Sequence, residues 1–390
     1  MTLPLNFAVV GCGMLARSQH IPNIARSERA VLHTCCDIDE DALAVCRCDW
    51  PEARTVTEYT EAVRDPEVQV VVLTTTEAVR LPVIEVCAEA GKPVYVEKPL
   101  SGTLEELAQI EEVVTRAGIP LCVGHNRRSS PAMLDAYRIF RDHMASGTVC
   151  PWRFDREGAD QRPPLPDDGA PAMTVRINDD WYTWKGWVFD EEQSRYGPML
   201  FEMTHFTDLC NLFMGTEPLQ VIAMEGGMLN HGVVIRYEGG GIATITMGGN
   251  GTFGYPKELY EICGRGGIVV VDHMLEVRTA GVEGAAPRQV YPMIHDRHSG
   301  LGQEGGLFGW LEKKRQACRE AAEKGDTSLI FTAEPDKGHV RALERFIDQV
   351  LGQGPEVCGV RDAALATRVA FAAIQSAETG AAVSVSDIGP

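Results

Sequence analysis

The sequence predicts an α/β protein: an N-terminal doubly wound parallel sheet, followed by an α/β domain built on a large, mostly antiparallel open sheet. Three observations carry that expectation. Strand and helix patterns alternate from residue 7 to residue 123, the order that builds parallel sheets with right-handed crossovers. A glycine turn, GCGMLA at residues 11–16, joins the first strand to the first helix. Several β-like segments separated by glycine-rich turns follow between residues 219 and 278, a spacing that suits antiparallel pairing. At 390 residues the chain exceeds what one hydrophobic core usually organises, so two domains are expected, residues 1–124 and 125–390.

The first element is a short apolar strand, FAVV, that runs directly into the turn. Gly11 permits the tight bend, Gly13 lets backbone approach a pyrophosphate, and Ala16 is small enough for the helix to lie close against its strand. Met14 and Leu15 complete the turn, and the helix opening at about residue 14 offers unpaired N–H groups to an anion. A second apolar strand, 31–36, ends at Asp37, where a carboxylate accepts hydrogen bonds from the adenosine ribose hydroxyls. The other reading of Asp37 is an ordinary turn or helix cap. Ile38, the next residue, brings no positive charge to a 2′-phosphate, and Asp37 repels one, so NAD is expected in preference to NADP.

Helices at 39–48 and near 57–64, a strand at 68–74, a helix at 79–90, a strand at 93–96, a helix at 103–117 and a strand at 119–123 complete the first domain. Beyond Gly124 a helix near 131–145 precedes RPPLPDDGAP, which propagates neither helix nor central strand and reads as a surface loop. The β-like segments are LQVIAMEG, GVVIRYEG, GIATITMGG, ELYEICG and GIVVVD. Residues 336–352 and 361–380 carry apolar positions at helical spacing and are expected to pack back near the first domain. The block RINDDWYTWKGWVFD sets Trp181, Trp184 and Trp187 at threefold spacing, with Tyr182 and Phe189. Most of these rings read as helix-face core, and Trp181 is retained as a candidate to line a substrate pocket.

The formal charge of −19 disfavours nucleic acid or an anionic membrane as a partner. MTLPLN lacks the basic region and apolar core of a secretory signal, and no apolar run approaches a membrane span. Twelve cysteines scattered through a long chain, several inside strand or helix patterns, read as core filler in a reducing, cytoplasmic location. Cys46 and Cys48 do not have zinc-ribbon spacing, and Glu202 with His205, or His295 with His298, make only separated pairs, so no metal is expected.

The segment AGKPVYVEKPLSGTLEELAQI delivers Glu97, Lys98 and Pro99 at the carboxyl end of a strand, the edge where open α/β sheets bind ligands. Together with GCGMLA, Asp37, the strand running into GHNRR at 124–128, and MTHFTD downstream, it resembles the glucose-fructose oxidoreductase and inositol dehydrogenase family (Gfo/Idh/MocA). The resemblance implies a Rossmann domain holding NAD(P), and a second domain whose sheet forms one wall of the substrate site. It implies oxidation or reduction of a secondary alcohol on a sugar, glycoside or cyclitol, with Lys98 and His205 handling the proton. Taking hydride from an alcohol carbon leaves a carbonyl only if the hydroxyl proton also departs. Histidine titrates near neutrality unaided, whereas lysine needs desolvation or a nearby cation to serve as base.

Where the family commonly has an aspartate four residues before the histidine, this chain has Phe201, with Glu202 three before. On a helix both spacings share a face, so Glu202 either reaches the site or stands in solvent. After the third strand, TTTEAVR puts Thr76 where the family often has proline and Arg80 where it has histidine. Thr75 and Thr76 are expected to contact the cofactor, as are Glu97, Lys98 and Asn126. His125 and Arg127, with Lys98, Trp181, Glu202 and His205, are expected on the substrate, and Arg128 in a structural ion pair. An NAD-dependent glycosidase acting by transient C3 oxidation and elimination is the alternative activity, and a non-catalytic NAD-binding regulator a third. A carbohydrate-like small molecule is the expected partner, and a homo-oligomer, dimer or tetramer, the expected state.

Overall fold

A computed structural model of the chain describes residues 3–146, 169–180, 196–226, 230–294, 306–331 and 334–389. It divides into two compact units, residues 1–129 with 338–368 and 388–390, and residues 130–337 with 369–387. The sequence-based boundary after residue 124 lies five positions before this division.

In the first unit the chain runs β1 (Leu5–Val10), α1 (Ile21–Arg26), β2 (Ala30–Cys36), α2 (Glu40–Asp49), β3 (Arg54–Val56), α3 (Tyr59–Arg64), β4 (Val70–Leu73), α4 (Arg80–Glu89), β5 (Val94–Val96), α5 (Leu104–Ala117) and β6 (Leu121–Val123). Six strands form one sheet in the order β3-β2-β1-β4-β5-β6, and every pairing is parallel. Helices cover both faces of such a sheet, which is why β4, β5 and β6 are buried without alternation. The order reverses between β1 and β4, and a doubly wound sheet opens a ligand crevice at that switch point. Helices start where their sequence supplies caps: Asp39 accepts from Asp41 N–H ahead of α2, and Thr103 from Glu106 N–H ahead of α5. The closing helix α10 (His339–Val350) and the start of α11 (Val360–Thr379) add Ala342, Leu343, Phe346, Ile347, Ala363 and Ala364 to this core.

The second unit opens with α6 (Pro131–Ser146), β7 (Ala172–Asn178), α7 (Gly197–Phe201) and α8 (Met203–Met214). It continues through β8 (Pro218–Glu225), β9 (Asn230–Tyr237), β10 (Ile242–Gly248), β11 (Glu258–Gly264), β12 (Gly267–Asp272), β13 (Glu276–Ala280), β14 (Arg288–Val290) and β15 (Met293–Ile294). Then come α9 (Gly306–Lys324), β16 (Glu334–Pro335) and, after the end of α11, β17 (Val383–Ser384). Nine strands form a sheet in the order β14-β13-β12-β11-β7-β10-β9-β8-β17. Only β7 with β10 is parallel; the other pairings are antiparallel. Residues alternate buried and exposed along β9, so one face is core and the other open. The open face carries Ile222 opposite Val234 and Cys263 opposite Ile268.

Candidate functional site

In the first unit the predicted cofactor residues gather at one edge of the sheet, because β1, β2, β4, β5 and β6 all end there. Gly11 has φ +92°, and a Cβ on it would lie 2.9 Å from Thr74 C and Thr75 N. Only glycine fits that contact between the turn and the end of β4. Gly13 is the opposite case: an added Cβ meets nothing within 4 Å, so open space lies over the backbone where a pyrophosphate approaches. Met14 and Leu15 are exposed beside it and Ala16 is buried. Asp37 ties the two βα turns together, accepting from Cys12 N–H at 2.5 Å and Asp39 N–H at 2.9 Å. Each carboxylate oxygen keeps a further lone pair for a ribose hydroxyl. Ile38 is 92 % exposed.

Beyond β4, Thr75 Oγ1 is buried without a hydrogen-bond partner among the described residues, and Thr76 is exposed. A buried hydroxyl left unpaired costs free energy, and a coenzyme hydroxyl or amide would relieve it. The open cradle at Gly13, the oriented Asp37 and this orphaned hydroxyl together fit a dinucleotide. Arg80 was assigned no role from sequence. It is buried, and its Nη2 donates to Thr75 O at 3.1 Å and Lys98 O at 3.4 Å. Burial pulls its pKa down to about 10, which leaves it charged at neutral pH. It fastens the β4 loop to the backbone of the lysine.

The segment after β5 is equally constrained. Glu97 is 7 % exposed and its Oε1 lies 2.8 Å from His20 Nε2, while Oε2 accepts Lys98 N–H at 3.2 Å. Burial pushes this carboxyl up, but the His20 hydrogen bond, then the charges of His20 and Lys98, outweigh it and hold the group at about 2. A Cβ on Gly124 would lie 2.8 Å from Oε1, so the β6 end must be bare to admit the carboxylate. His20 ends a single π-helical turn, Ala16–His20, inserted before α1, a distortion that re-aims a side chain. Its ring also packs on Tyr95, centroids 5.4 Å apart. Lys98 is half-buried and precedes a cis proline peptide. His125, Asn126 and Arg127 are buried after β6, and Arg128 pairs with Asp362 at 2.6 Å, as a structural ion pair requires.

In the second unit Glu202 and His205 are both 5 % exposed. The solvated alternative for Glu202 is therefore excluded: it sits between α7 and α8, and its Oε1 lies 2.7 Å from Lys257 Nζ. Lys257 in turn lies 2.8 Å from Asp179. His205 N–H donates to Glu202 O at 3.1 Å, so this buried ion cluster anchors the first turn of the helix that carries the histidine. Neither Lys257 nor Asp179 was marked by the sequence, since each stands in an unremarkable strand-end context. Trp181, Tyr182, Trp184, Trp187 and Phe189, with His295 and His298, lie outside the described residues.

The described cysteines are free thiols, most of them buried. Cys12, Cys35 and Cys46 bring their sulfurs within 4.8 Å of one another. Burial pushes Cys46 up to about 12, and the hydrogen bond with the Cys35 thiol, then burial, raises Cys12 further. Protonated thiols are poor metal ligands. No helix among the described residues is long and apolar enough to cross a membrane.

The oxidoreductase family matched by the first unit and the inositol dehydrogenases among the relatives point to a dehydrogenase that acts on CH–OH groups. Residues 5–125 match the Gfo/Idh/MocA family model, described as an oxidoreductase family with an NAD-binding Rossmann fold. A myo-inositol 2-dehydrogenase of Thermotoga maritima is 21 % identical over 398 residues, 98 % of this chain and 99 % of the relative. Among solved structures, GenD2 from gentamicin A biosynthesis, in complex with NAD, superposes with a TM-score of 0.70 at 21 % identity, covering 98 % and 97 % of the two chains. An aldose-aldose oxidoreductase from Caulobacter crescentus, complexed with glycerol, gives a TM-score of 0.70 at 17 % identity over 98 % and 99 %. At those identities the structural likeness is one of fold.

Proposed function

We propose that the protein is an NAD-dependent dehydrogenase of a secondary alcohol on a sugar, glycoside or cyclitol. The observation that carries this reading is the arrangement around Lys98, a lysine at the carboxyl end of β5 whose backbone N–H is bound by a buried, ionised Glu97 that His20 also holds. The myo-inositol 2-dehydrogenase among the relatives supports the substrate class. Bound coenzyme supplies the hydride acceptor.

Lys98 takes the hydroxyl proton as hydride leaves the carbon, or as an ammonium polarises the carbonyl in reverse. His205, with Glu202 and Lys257 fixing its helix turn, relays the proton. Gly11, Gly13, Met14, Leu15 and Ala16 hold the pyrophosphate, Asp37 the adenosine ribose, and Thr75, Thr76 and Asn126 the nicotinamide half. His125 and Arg127 contact substrate. Asp37 and the uncharged Ile38 favour NAD over NADP, since a 2′-phosphate beside an ionised carboxylate is repelled. The apolar side chains on the open face of the second sheet, Ile222, Met224, Val234, Ile242 and Ile268, support a homo-oligomer formed across that face.

Reduction of NAD is to be followed against free sugars, inositols, glycosides and nucleotide sugars. Growth of the NADH band with one class supports the reading. Release of aglycone with no net change in that band assigns turnover to the elimination cycle, and loss of activity on chelation assigns it to a metal.

A further inference from the structure

We propose that a cavity in the second unit, lined by Phe253, Tyr255, Lys257, His273, Trp310 and Glu334 among others, binds an uncharged sugar ring, and that the substrate is a glycoside carrying this second ring. The inference rests on the dehydrogenase reading and narrows its substrate class. The cavity measures about 240 Å³, below the 300–1,000 Å³ usual for whole ligands. It suits one ring of a larger molecule.

The charges around the cavity are matched. Lys257 lies 2.8 Å from Asp179 and 2.7 Å from Glu202, and Lys314 pairs with Glu334. Burial pushes the Glu334 carboxyl up, but the charges of Lys314 and then Lys337 outweigh it and hold the group below its ordinary value. An ionic ligand would have to compete for one of these pairs and strand its partner in a buried place. A ligand without charge leaves them intact.

The wall does lack one polar partner. The turn between β12 and β13 holds His273 at φ +51°, where a hairpin ordinarily places asparagine or glycine. His273 is 2 % exposed, and its Nδ1 accepts Lys257 N–H at 3.2 Å. Nδ1 is therefore the unprotonated nitrogen and Nε2 carries the hydrogen. Burial holds the ring's pKa down, to about 3, which keeps that neutral tautomer at physiological pH. Nε2 has no hydrogen-bond partner among the described residues, so a buried donor lacks its acceptor.

Glu334 supplies the opposite need. It is the charge that acts most strongly on the His273 ring, and since the Lys314 ammonium is bound to its Oε1, Oε2 is left able to accept. A sugar hydroxyl is donor and acceptor at once, so one hydroxyl accepts from His273 Nε2 and donates to Glu334. Rings supply the apolar part. Tyr255 is 50 % exposed and Phe253 half-buried, while His273 and Trp310 are buried with centroids 4.4 Å apart. Arg176 lies over the Tyr255 ring, 5.4 Å from its centroid, and steadies it. An aromatic face at the mouth of a polar cavity suits the C–H face of a sugar. Lys257 joins the cavity to the turn bearing His205 through Glu202, which makes the subsite part of the substrate-handling unit.

Calorimetry on the full chain, with and without NADH, tests this by comparing cellobiose, maltose and lactose with the methyl glycosides of glucose and galactose. At least one disaccharide should bind about tenfold tighter than its methyl glycoside. Two variants locate that gain. His273→Asn suits the left-handed backbone and keeps an acceptor for Lys257 N–H while removing the Nε2 donor; Tyr255→Ala removes a half-exposed ring, and unfolding midpoints check that both proteins fold. Each variant should bring disaccharide and methyl glycoside to equal affinity. A second ring that adds nothing in every pair, or a gain indifferent to both variants, overturns the inference. Coenzyme reduction is read in parallel. Disaccharide binding that depends on His273 without reduction of NAD leaves the subsite standing and removes the dehydrogenase reading; oxidation of single-ring sugars with no gain from a second ring does the reverse.

Discussion

Replacing His20 with phenylalanine keeps a ring of similar size against Tyr95 while removing the hydrogen bond to Glu97, so the change isolates one polar contact in a buried place. The Glu97 carboxyl moves from 4.5 to about 2 on folding, and at about 1.36 kcal/mol for each factor of ten this is on the order of 3 kcal/mol in favour of the ionised form. Both side chains of the pair are 9 % exposed, so solvent screening removes little of it. Losing one partner of a buried pair costs about 3–5 kcal/mol, and a hydrogen bond to a charged group about 1.5–3 kcal/mol. Since Lys98 N–H remains on Oε2, the expected loss at pH 7 is about 2–4 kcal/mol.

The sign with pH is specific. In the native protein the depressed carboxyl contributes stability that is complete above 4.5 and is lost as pH falls toward about 2. In His20→Phe, burial is left without its main opposition, and the folded pKa rises above the unfolded one. That destabilisation is greatest at neutral pH and shrinks as the pH falls and the group takes up its proton. Urea unfolding at pH 7 and pH 5 measures both terms, and the gap between the two proteins should narrow at the lower pH. His20→Gln, whose amide nitrogen reaches the place of Nε2, should recover most of the loss. Equal unfolding curves for native and His20→Phe protein at both pH values would refute the reasoning.

Three further outcomes follow from the same geometry. Lys98→Met should lower kcat by at least about a thousandfold while leaving NAD affinity within about threefold, measured by steady-state kinetics and calorimetry; unchanged turnover removes the assigned role. Gly11→Ala introduces a Cβ 2.9 Å from Thr74 and Thr75 backbone at a φ of +92°, which should cost about 1–3 kcal/mol of stability and weaken coenzyme binding, whereas Gly13→Ala, facing open space, should weaken binding alone. Asp37→Ser should reduce NAD affinity and bring NADP within about tenfold of it, as competitive titration would show; an unaltered ratio excludes Asp37 from the ribose.

What the sequence made legible was local chemistry. The glycine turn, Asp37 and the strand delivering Lys98 are short-range patterns, and the structure sets them at one edge of the parallel sheet. Strand β3 escaped notice because three residues, RTV, are too few to show a period. Strand β7 follows the proline-rich stretch and carries an arginine at a partly buried position, which blurs its alternation. Helix α9 has few apolar positions among EKKRQACREAAEK, so no face stands out. The contacts that prepare the candidate site were illegible for a different reason. His20 and Glu97 are 77 positions apart and Glu202 and Lys257 are 55 apart, and nothing in a single sequence pairs a histidine or lysine with one carboxylate among fifty-five.

Titration calorimetry with NAD, NADH, NADP and NADPH on the purified protein addresses the core of the account. Saturable binding of the NAD pair, stronger than that of the NADP pair and diminished in Gly13→Ala, is the predicted result. Absence of heat from all four, in protein shown to carry no coenzyme already, contradicts it.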